Sequence, residues 1–306
     1  MTTMTQPLQV HGHEDAKRAL RITHAQSFAF VGPEAVGRRA MAHWWAALRN
    51  CENPTDEPCG QCASCRAMVA GAHPDVLEKA PARSTRSGRA TQRPTLRIDQ
   101  LVPRSTPNAD PEPVRRWLEA RPQFRERIAI LDDAHLVSEA AGNAFLKTLE
   151  EPPSWARIIL IAPSPRALLP TLASRVVTIR FGAVPVDAFT DLAPHPGLDS
   201  GQYGWLQRAR EAPDVESLVR DATNAFTASL DGPLDEALEV GNAWLKVWME
   251  HPTEGVPQRL LATLRHDDPG RYAVALEALD QADQAVRAYV AKDVIASALT
   301  LRLRRR

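Results

Sequence analysis

No stretch of this chain approaches the roughly 20 apolar residues needed to span a bilayer. Its start, MTTMTQPLQVHGHEDAKRAL, holds no apolar run of the length a secretory leader requires. The expectation is a protein without membrane contact, working in the cytoplasm. An excess of charge is also missing: 37 Lys and Arg balance 37 Asp and Glu, for a formal net charge of zero. Attraction of the whole molecule to nucleic acid is therefore not indicated, and any contact with DNA would rest on a local patch. No repeat at solenoid spacing is present. What remains is 306 residues, 44% hydrophobic and 24% charged, which fits a globular protein of two or three domains.

The most informative absence lies between residues 29 and 39. The sequence AFVGPEAVGRR has the glycine spacing of a phosphate-binding loop, G-x-x-x-x-G-K-[ST], entered from an apolar strand and leaving into a helix. Gly32 and Gly37 are in place. The lysine that would hold phosphates is Arg38, and the hydroxyl that would hold Mg²⁺ is Arg39. A guanidinium fork is bulkier and shaped differently from an ammonium. It has no lone pair to offer a metal. Glu34 adds a carboxylate to a loop built for an anion. The sequence predicts a nucleotide-binding scaffold without productive ATP binding.

Cysteine is absent everywhere except Cys51, Cys59, Cys62 and Cys65. In a reducing compartment, four grouped thiols point to a metal before disulfides. C-x7-C-x2-C-x2-C, with turn-forming residues between the sulfurs, suits a tetrahedral Zn²⁺ site. Such a site would be structural, because four thiolates leave no open position for water or substrate. Two disulfides are the alternative.

Along the chain, short helices are expected at His13–Thr23, Arg39–Leu48, Ala63–Ala70 and Glu112–Glu119. Apolar strands are expected at Ser27–Val31, near Val76, at Arg127–Leu131, at Arg157–Ala162 and at Val176–Phe181. Ser138–Leu149 reads as a helix with Leu136, Ala140, Ala144, Phe145 and Leu149 toward one face, stopped by Pro152-Pro153. Residues 80–94 read as a loop whose Arg83, Arg86, Arg89 and Arg93 are either solvated or in contact with nucleic acid. Strands alternating with helices predict a mainly parallel sheet covered on both faces. A Pro/Gly-rich passage at 182–204 marks a boundary, beyond which helices follow one another with breaks near Gly232-Pro233, Pro252–Pro257 and Pro269-Gly270. Leu238, Trp244, Leu245 and Trp248 fall at helical spacing and read as bundle core or an interface. The last helix is expected over 271–306, its LRLRRR end reading first as a solvated terminus.

Three landmarks follow the broken loop. IAILDDAH (128–135) resembles a Walker B strand, with Asp132 in the metal slot and Asp133, one methylene short of the usual glutamate, in the water-positioning slot. AGNAFLKTLEEPP (141–153) and ASR (173–175) come next. In the order GPEAVGRR, the cysteine knuckle, HPD, LDDAH, NAFLKTLEEPP and LASR, the chain resembles the delta-prime subunits of the bacterial DNA polymerase III clamp loader over residues 10–181. GPE-x-VGRR in particular looks like the Deinococcus–Thermus kind. Gamma/tau proteins keep the lysine and threonine that this loop lacks.

The resemblance implies a RecA-like AAA+ domain with a zinc knuckle (1–181, knuckle 51–65), a small helical lid (182–213) and a C-terminal all-α collar (214–306). It implies that Ser174 and Arg175 match a serine-arginine-cysteine motif, with Val176 in the cysteine's place, whose arginine reaches ATP on a neighbouring subunit. Without the resemblance, Arg175 reads as a residue that caps carbonyls or pairs with a surface Asp or Glu. It implies Zn²⁺ on Cys51, Cys59, Cys62 and Cys65. The partners implied are gamma/tau and delta subunits in a five-membered ring, the sliding clamp and primed DNA. A lid arginine that senses nucleotide has only Arg208 and Arg210 as candidates. Two other function classes fit the residues: an active ATPase using Arg38 as phosphate ligand, and a zinc-dependent DNA-binding module.

Overall fold

The computed structural model describes residue 8 and residues 10–84, 90–107, 109–184, 212–251, 255–288 and 290–304. The chain divides into two compact units, 1–188 and 189–306. Most of the expected lid, including Arg208 and Arg210, lies outside the described residues.

The first unit is α/β. Its elements are α1 (Glu14–Ile22), β1 (Ser27–Val31), α2 (Arg38–Asn50), α3 (Ala63–Val69), β2 (Val76–Lys79), β3 (Ala82–Ser84) and β4 (Ala90–Thr95). There follow α4 (Ile98–Leu101), α5 (Val114–Glu119), β5 (Arg127–Leu131), α6 (Glu139–Glu150), β6 (Ala156–Ala162), α7 (Pro170–Ala173) and β7 (Val177–Arg180). Five strands form one sheet in the order β2-β5-β6-β1-β7, every pairing parallel. Parallel strands buried on both faces read as continuous apolar runs, which is how SFAFV, RIAIL and ARIILIA earned their assignment.

The period of two divides each strand between two cores. Phe28, Phe30, Ile128, Ile130, Ile159 and Ile161 pack with Met41, Trp44 and Trp45 of α2. Ala29, Val31, Ala129, Leu131, Ile158 and Leu160 pack with Phe145 and Leu149 of α6 and with Leu101 and Leu118. Because all strands run the same way, their carboxyl ends gather at one edge of the sheet, where ligands of open α/β sheets bind. The 32–37 loop and Asp132-Asp133 both sit there.

Two expectations for this unit change. Residues 82–84 and 90–95 pair as antiparallel strands instead of forming one loop. Pro94 argued against a strand, but a two-stranded ribbon leaves an open edge where a missing N–H costs nothing. The buried face of α6 is Ala141, Gly142, Phe145, Thr148 and Leu149, with Ala140 exposed. Gly142 belongs to this face, where a Cβ would lie 2.6 Å from Leu169 Cδ1, the far end of a side chain packed against it.

Among the described residues, the second unit is all helix: α8 (Pro213–Ser229), α9 (Leu234–Glu250), α10 (Val256–Asp267), α11 (Pro269–Arg287) and α12 (Lys292–Arg304). Trp244 is its buried centre, 5.1 Å from Phe226 and 5.7 Å from Trp248 between ring centroids. The single helix expected over 271–306 is two helices, broken after Arg287 with no glycine or proline to announce it. Folding α12 back buries Leu299 and Leu303 in the Trp244 core, a gain that outweighs uninterrupted helix propensity. The end of the chain is also not simply solvated. Arg304 donates to the carbonyls of Ser229, Leu230 and Gly232, satisfying the carboxyl end of α8. No described helix is long and apolar enough to cross a membrane.

Candidate functional site

The loop at the carboxyl end of β1 is held closely on several sides. The N–H of Gly32 donates to the Ala162 carbonyl at 3.4 Å. A Cβ on Gly32 would lie 2.2 Å from the Phe181 carbonyl oxygen, so a side chain there is excluded by backbone. Gly37 precedes α2 with φ 99°, a left-handed conformation suited to glycine, while Ala35 accepts the same region at φ 59°. From the other side, His13 Nε2–H donates to the Val36 carbonyl at 2.7 Å, and its ring sets its edge against Phe181. Burial pushes the His13 pKa down, which keeps the ring neutral for this role.

The two arginines go separate ways. Arg38 is half-buried, and burial lowers its pKa against the opposing pull of Glu34, Asp132 and Asp133. Its Nη1 is buried without a hydrogen-bond partner. Arg39 turns away along the sheet edge to Glu78 on β2, with Nε 2.6 Å from Oε1 and Nη2 2.9 Å from Oε2. His43, one turn further on the same face of α2, also reaches Glu78 Oε2 at 3.1 Å. Burial alone would raise the Glu78 pKa. The bonds from His43 and Arg39 outweigh it and bring the value down to about 2.

Asp132 follows β5 on this edge, its Oδ1 accepting from the Asp133 N–H at 3.0 Å. Burial and repulsion from Asp133 raise its pKa, against the attraction of Arg39. Asp133 stands at φ 46°. The hydroxyl position of a metal-dependent loop is thus taken by a cation, paired with an acid and lying within electrostatic reach of Asp132. Sequence reasoning missed Glu78, His43 and His13. Glu78 and His43 meet only because β2 lies beside β5, although His43 at four residues from Arg39 was a usable sign of a shared helix face.

This geometry carries a pH signature. The folded pKa of Glu78 lies below the ordinary 4.5, so its contribution to stability is full above pH 4.5 and is lost as pH falls toward 2. The expected size is on the order of 2 kcal/mol, since the Arg39 partner is largely exposed. Glu78→Gln should have a lower Tm than the native chain at pH 7, and the gap should close across that acid window. A gap independent of pH would remove the ion pair as its cause.

The second constellation is the cysteine knuckle. All four cysteines are free thiols, so the disulfide alternative does not describe this structure. Their sulfurs lie within 4.8 Å of one another. Cys59 and Cys65 sulfurs are 3.9 Å apart, and those of Cys62 and Cys51 4.0 Å. A tetrahedron with metal–sulfur distances of about 2.3 Å has edges of about 3.8 Å, so the set fits such an ion. Backbone N–H groups of Cys59, Cys62 and Cys65 donate to the sulfurs of Cys51, Cys59 and Cys62. Two such donations, from Gln61 and Cys62, bring Cys59 down to about 6, while burial pushes Cys51 and Cys65 up. The knuckle is tied to its surroundings: Ser64 bonds His73 at 3.0 Å, and Glu57 takes Trp44, Lys17 and Arg21 as partners.

The third group follows α7. Arg175 lies one-third exposed, its Nε 2.5 Å from Glu150 Oε1 and its Nη1 2.9 Å from the Thr171 carbonyl oxygen. Ser174 Oγ donates to the same carbonyl at 3.2 Å. Val176 packs against the α6-side core. Arg175 thus both bonds a carbonyl and pairs with a surface acid, the alternative that its sequence left open.

Residues 13–185, more than half of the chain, match the family described as DNA polymerase III, delta subunit. The chain belongs to that family. The likeness of its ordered motifs to clamp-loader subunits is thus a family relationship. DNA polymerase III subunit delta′ of Pseudomonas aeruginosa is 30% identical over 199 residues, 65% of this chain and 52% of that protein. DNA polymerase III subunit tau of Escherichia coli is 31% identical over 218 residues, 69% of this chain and 30% of that protein. The chain spans about half the length of the first relative and less than a third of the second. A crystal structure of a DNA polymerase III gamma subunit-related protein from Thermotoga maritima aligns with 96% of this chain and 98% of its own at 18% identity. The TM-score of that alignment is 0.48.

Proposed function

We propose that this family member is a delta-prime-type clamp-loader subunit that does not hydrolyse ATP and completes the ATP site of a neighbour. The observation that carries the reading is the Arg39–Glu78 ion pair. A guanidinium stands where a magnesium ligand is required, and it spends its charge on an acid of the same edge. Gly32 and Gly37 keep the shape of the loop, while Arg38, Arg39, Asp132 and Asp133 no longer supply its chemistry. Arg175, with Ser174 beside it, is the residue offered in trans. An arginine so supplied stabilises charge developing on the transferred phosphoryl group.

In this reading Cys51, Cys59, Cys62 and Cys65 hold one structural Zn²⁺. Residues 1–181 act as the AAA+ domain, 182–213 as a lid and 214–306 as the collar that joins a five-membered ring with gamma/tau and delta subunits. The ring acts in the cytoplasm during DNA replication, opening a sliding clamp onto primed DNA. Contact with that DNA goes to backbone and shape, since the ring encloses DNA of any sequence. A second reading, an active ATPase using Arg38 as phosphate ligand, has the unpartnered Arg38 Nη1 in its favour. It still lacks a hydroxyl for the metal.

Co-expression with gamma/tau-type and delta-type subunits tests the assembly. The expected result is one stable complex whose clamp loading requires this chain. A chain that elutes alone, with loading unaffected by its omission, would contradict the proposal.

A further inference from the structure

Glu150 ends α6 just before Pro152-Pro153. A carboxylate in the last turn faces the negative end of the helix dipole, so the helix itself gains nothing from it. What it does have is Arg175, 25 residues away in sequence and 2.5 Å away in space. The contact follows from α7 lying against α6, where Leu169 and Leu172 pack beside Gly142. Three bonds hold the guanidinium: Nε to Glu150, Nη1 to the Thr171 carbonyl and Nη1 to Ser174 Oγ. Among the described residues, Nη2 makes no hydrogen bond. The group is therefore anchored through two of its three nitrogens.

Side-chain exposure is 33% for Arg175 and 46% for Glu150. An ion pair this open to water contributes little to stability, so its consequence lies in orientation. We propose that Glu150 is the positioning residue for Arg175, fixing the guanidinium so that Nη2 is presented outward before a partner arrives. This rests on the reading that Arg175 serves a neighbour's ATP. An arginine left free to sample its rotamers must be ordered at the moment of reaction, and a displacement of about 1 Å at such a group costs as much as 10²-fold in rate. Thr171 and Ser174 reach only Nη1, so the Glu150 carboxylate on Nε supplies the second point of attachment that sets the plane of the guanidinium.

A double-mutant cycle in the reconstituted complex tests this, read as kcat and KM for ATP hydrolysis together with the Tm of the isolated chain. Glu150→Ala should lower kcat by about 10-fold to 10²-fold with KM unchanged. Glu150→Gln, which keeps an acceptor but loses the charge, should fall between it and the native chain. In an Arg175→Ala background, Glu150→Ala should change nothing further, as expected for residues acting as a unit. The Tm of the isolated chain should hold in every variant. If Arg175→Ala slows the complex and Glu150→Ala does not, the positioning role falls and the trans arginine stands. An equal loss from Glu150→Ala in both backgrounds, or a matching loss of Tm, would make Glu150 merely structural. If Arg175→Ala itself leaves kcat unchanged, the trans reading fails and the positioning role goes with it.

Discussion

Replacing Arg175 with alanine should reduce ATP turnover at the site it completes by on the order of 10³-fold or more, while leaving this chain folded. The rate effect follows from arginine fingers, which contribute 10³ to 10⁵ in kcat, or about 4 kcal/mol of barrier at the lower bound. Folding should be nearly indifferent. The Arg175–Glu150 pair is exposed on both sides, and such pairs contribute about 0–1 kcal/mol. A large kinetic loss with a small thermal one separates a residue kept for a partner from one kept for its own fold. Arg175→Lys should not rescue, because the planar fork meets phosphate oxygens in a geometry an ammonium cannot reproduce. The measurement is steady-state hydrolysis by the reconstituted complex with primed DNA and clamp. Native kcat from the alanine variant would remove the trans role.

Loss of the metal should have the second large effect. Cys51 and Cys65 are fully buried and belong to the same core as Trp44 and Trp45. Structural zinc at four thiolates is associated with apparent binding free energies of roughly 10–16 kcal/mol. That is comparable to the roughly 5–15 kcal/mol by which domains are stable. Chelation at neutral pH, or Cys65→Ser, should therefore unfold the first unit cooperatively and not merely loosen its knuckle. Near-UV circular dichroism should fall together with the signal of Trp44, whose indole bonds Glu57 of the cysteine loop. Metal analysis should return one zinc per native chain. A metal-free preparation with four titratable thiols and an unchanged Tm would refute the site.

How much of this was legible beforehand depended on whether the physics was local. The strands SFAFV and ARIILIA declared themselves, because burial on both faces demands an unbroken apolar run. The knuckle and the loop were equally plain, since their chemistry sits within 15 and 8 consecutive residues respectively. The break after Arg287 left no mark, because it is set by Leu299 and Leu303 finding the Trp244 core and not by a turn residue. Glu78 and Glu150 were invisible for a related reason. Each becomes a partner of an arginine only once the sheet order or the packing of α7 on α6 brings distant segments together. Sequence showed that arginines stand at positions 38 and 39 of the loop, and the fold showed Arg39 paired with Glu78 and Arg38 half-buried.

The central proposal is that this subunit has no working ATP site of its own. Titration of the isolated 306-residue chain with Mg-ATP, followed by calorimetry and by phosphate release, tests it most directly. The account predicts no saturable heat through the micromolar range and no turnover. Micromolar affinity accompanied by hydrolysis would contradict it, and would mean that Arg38 works as a phosphate ligand after all.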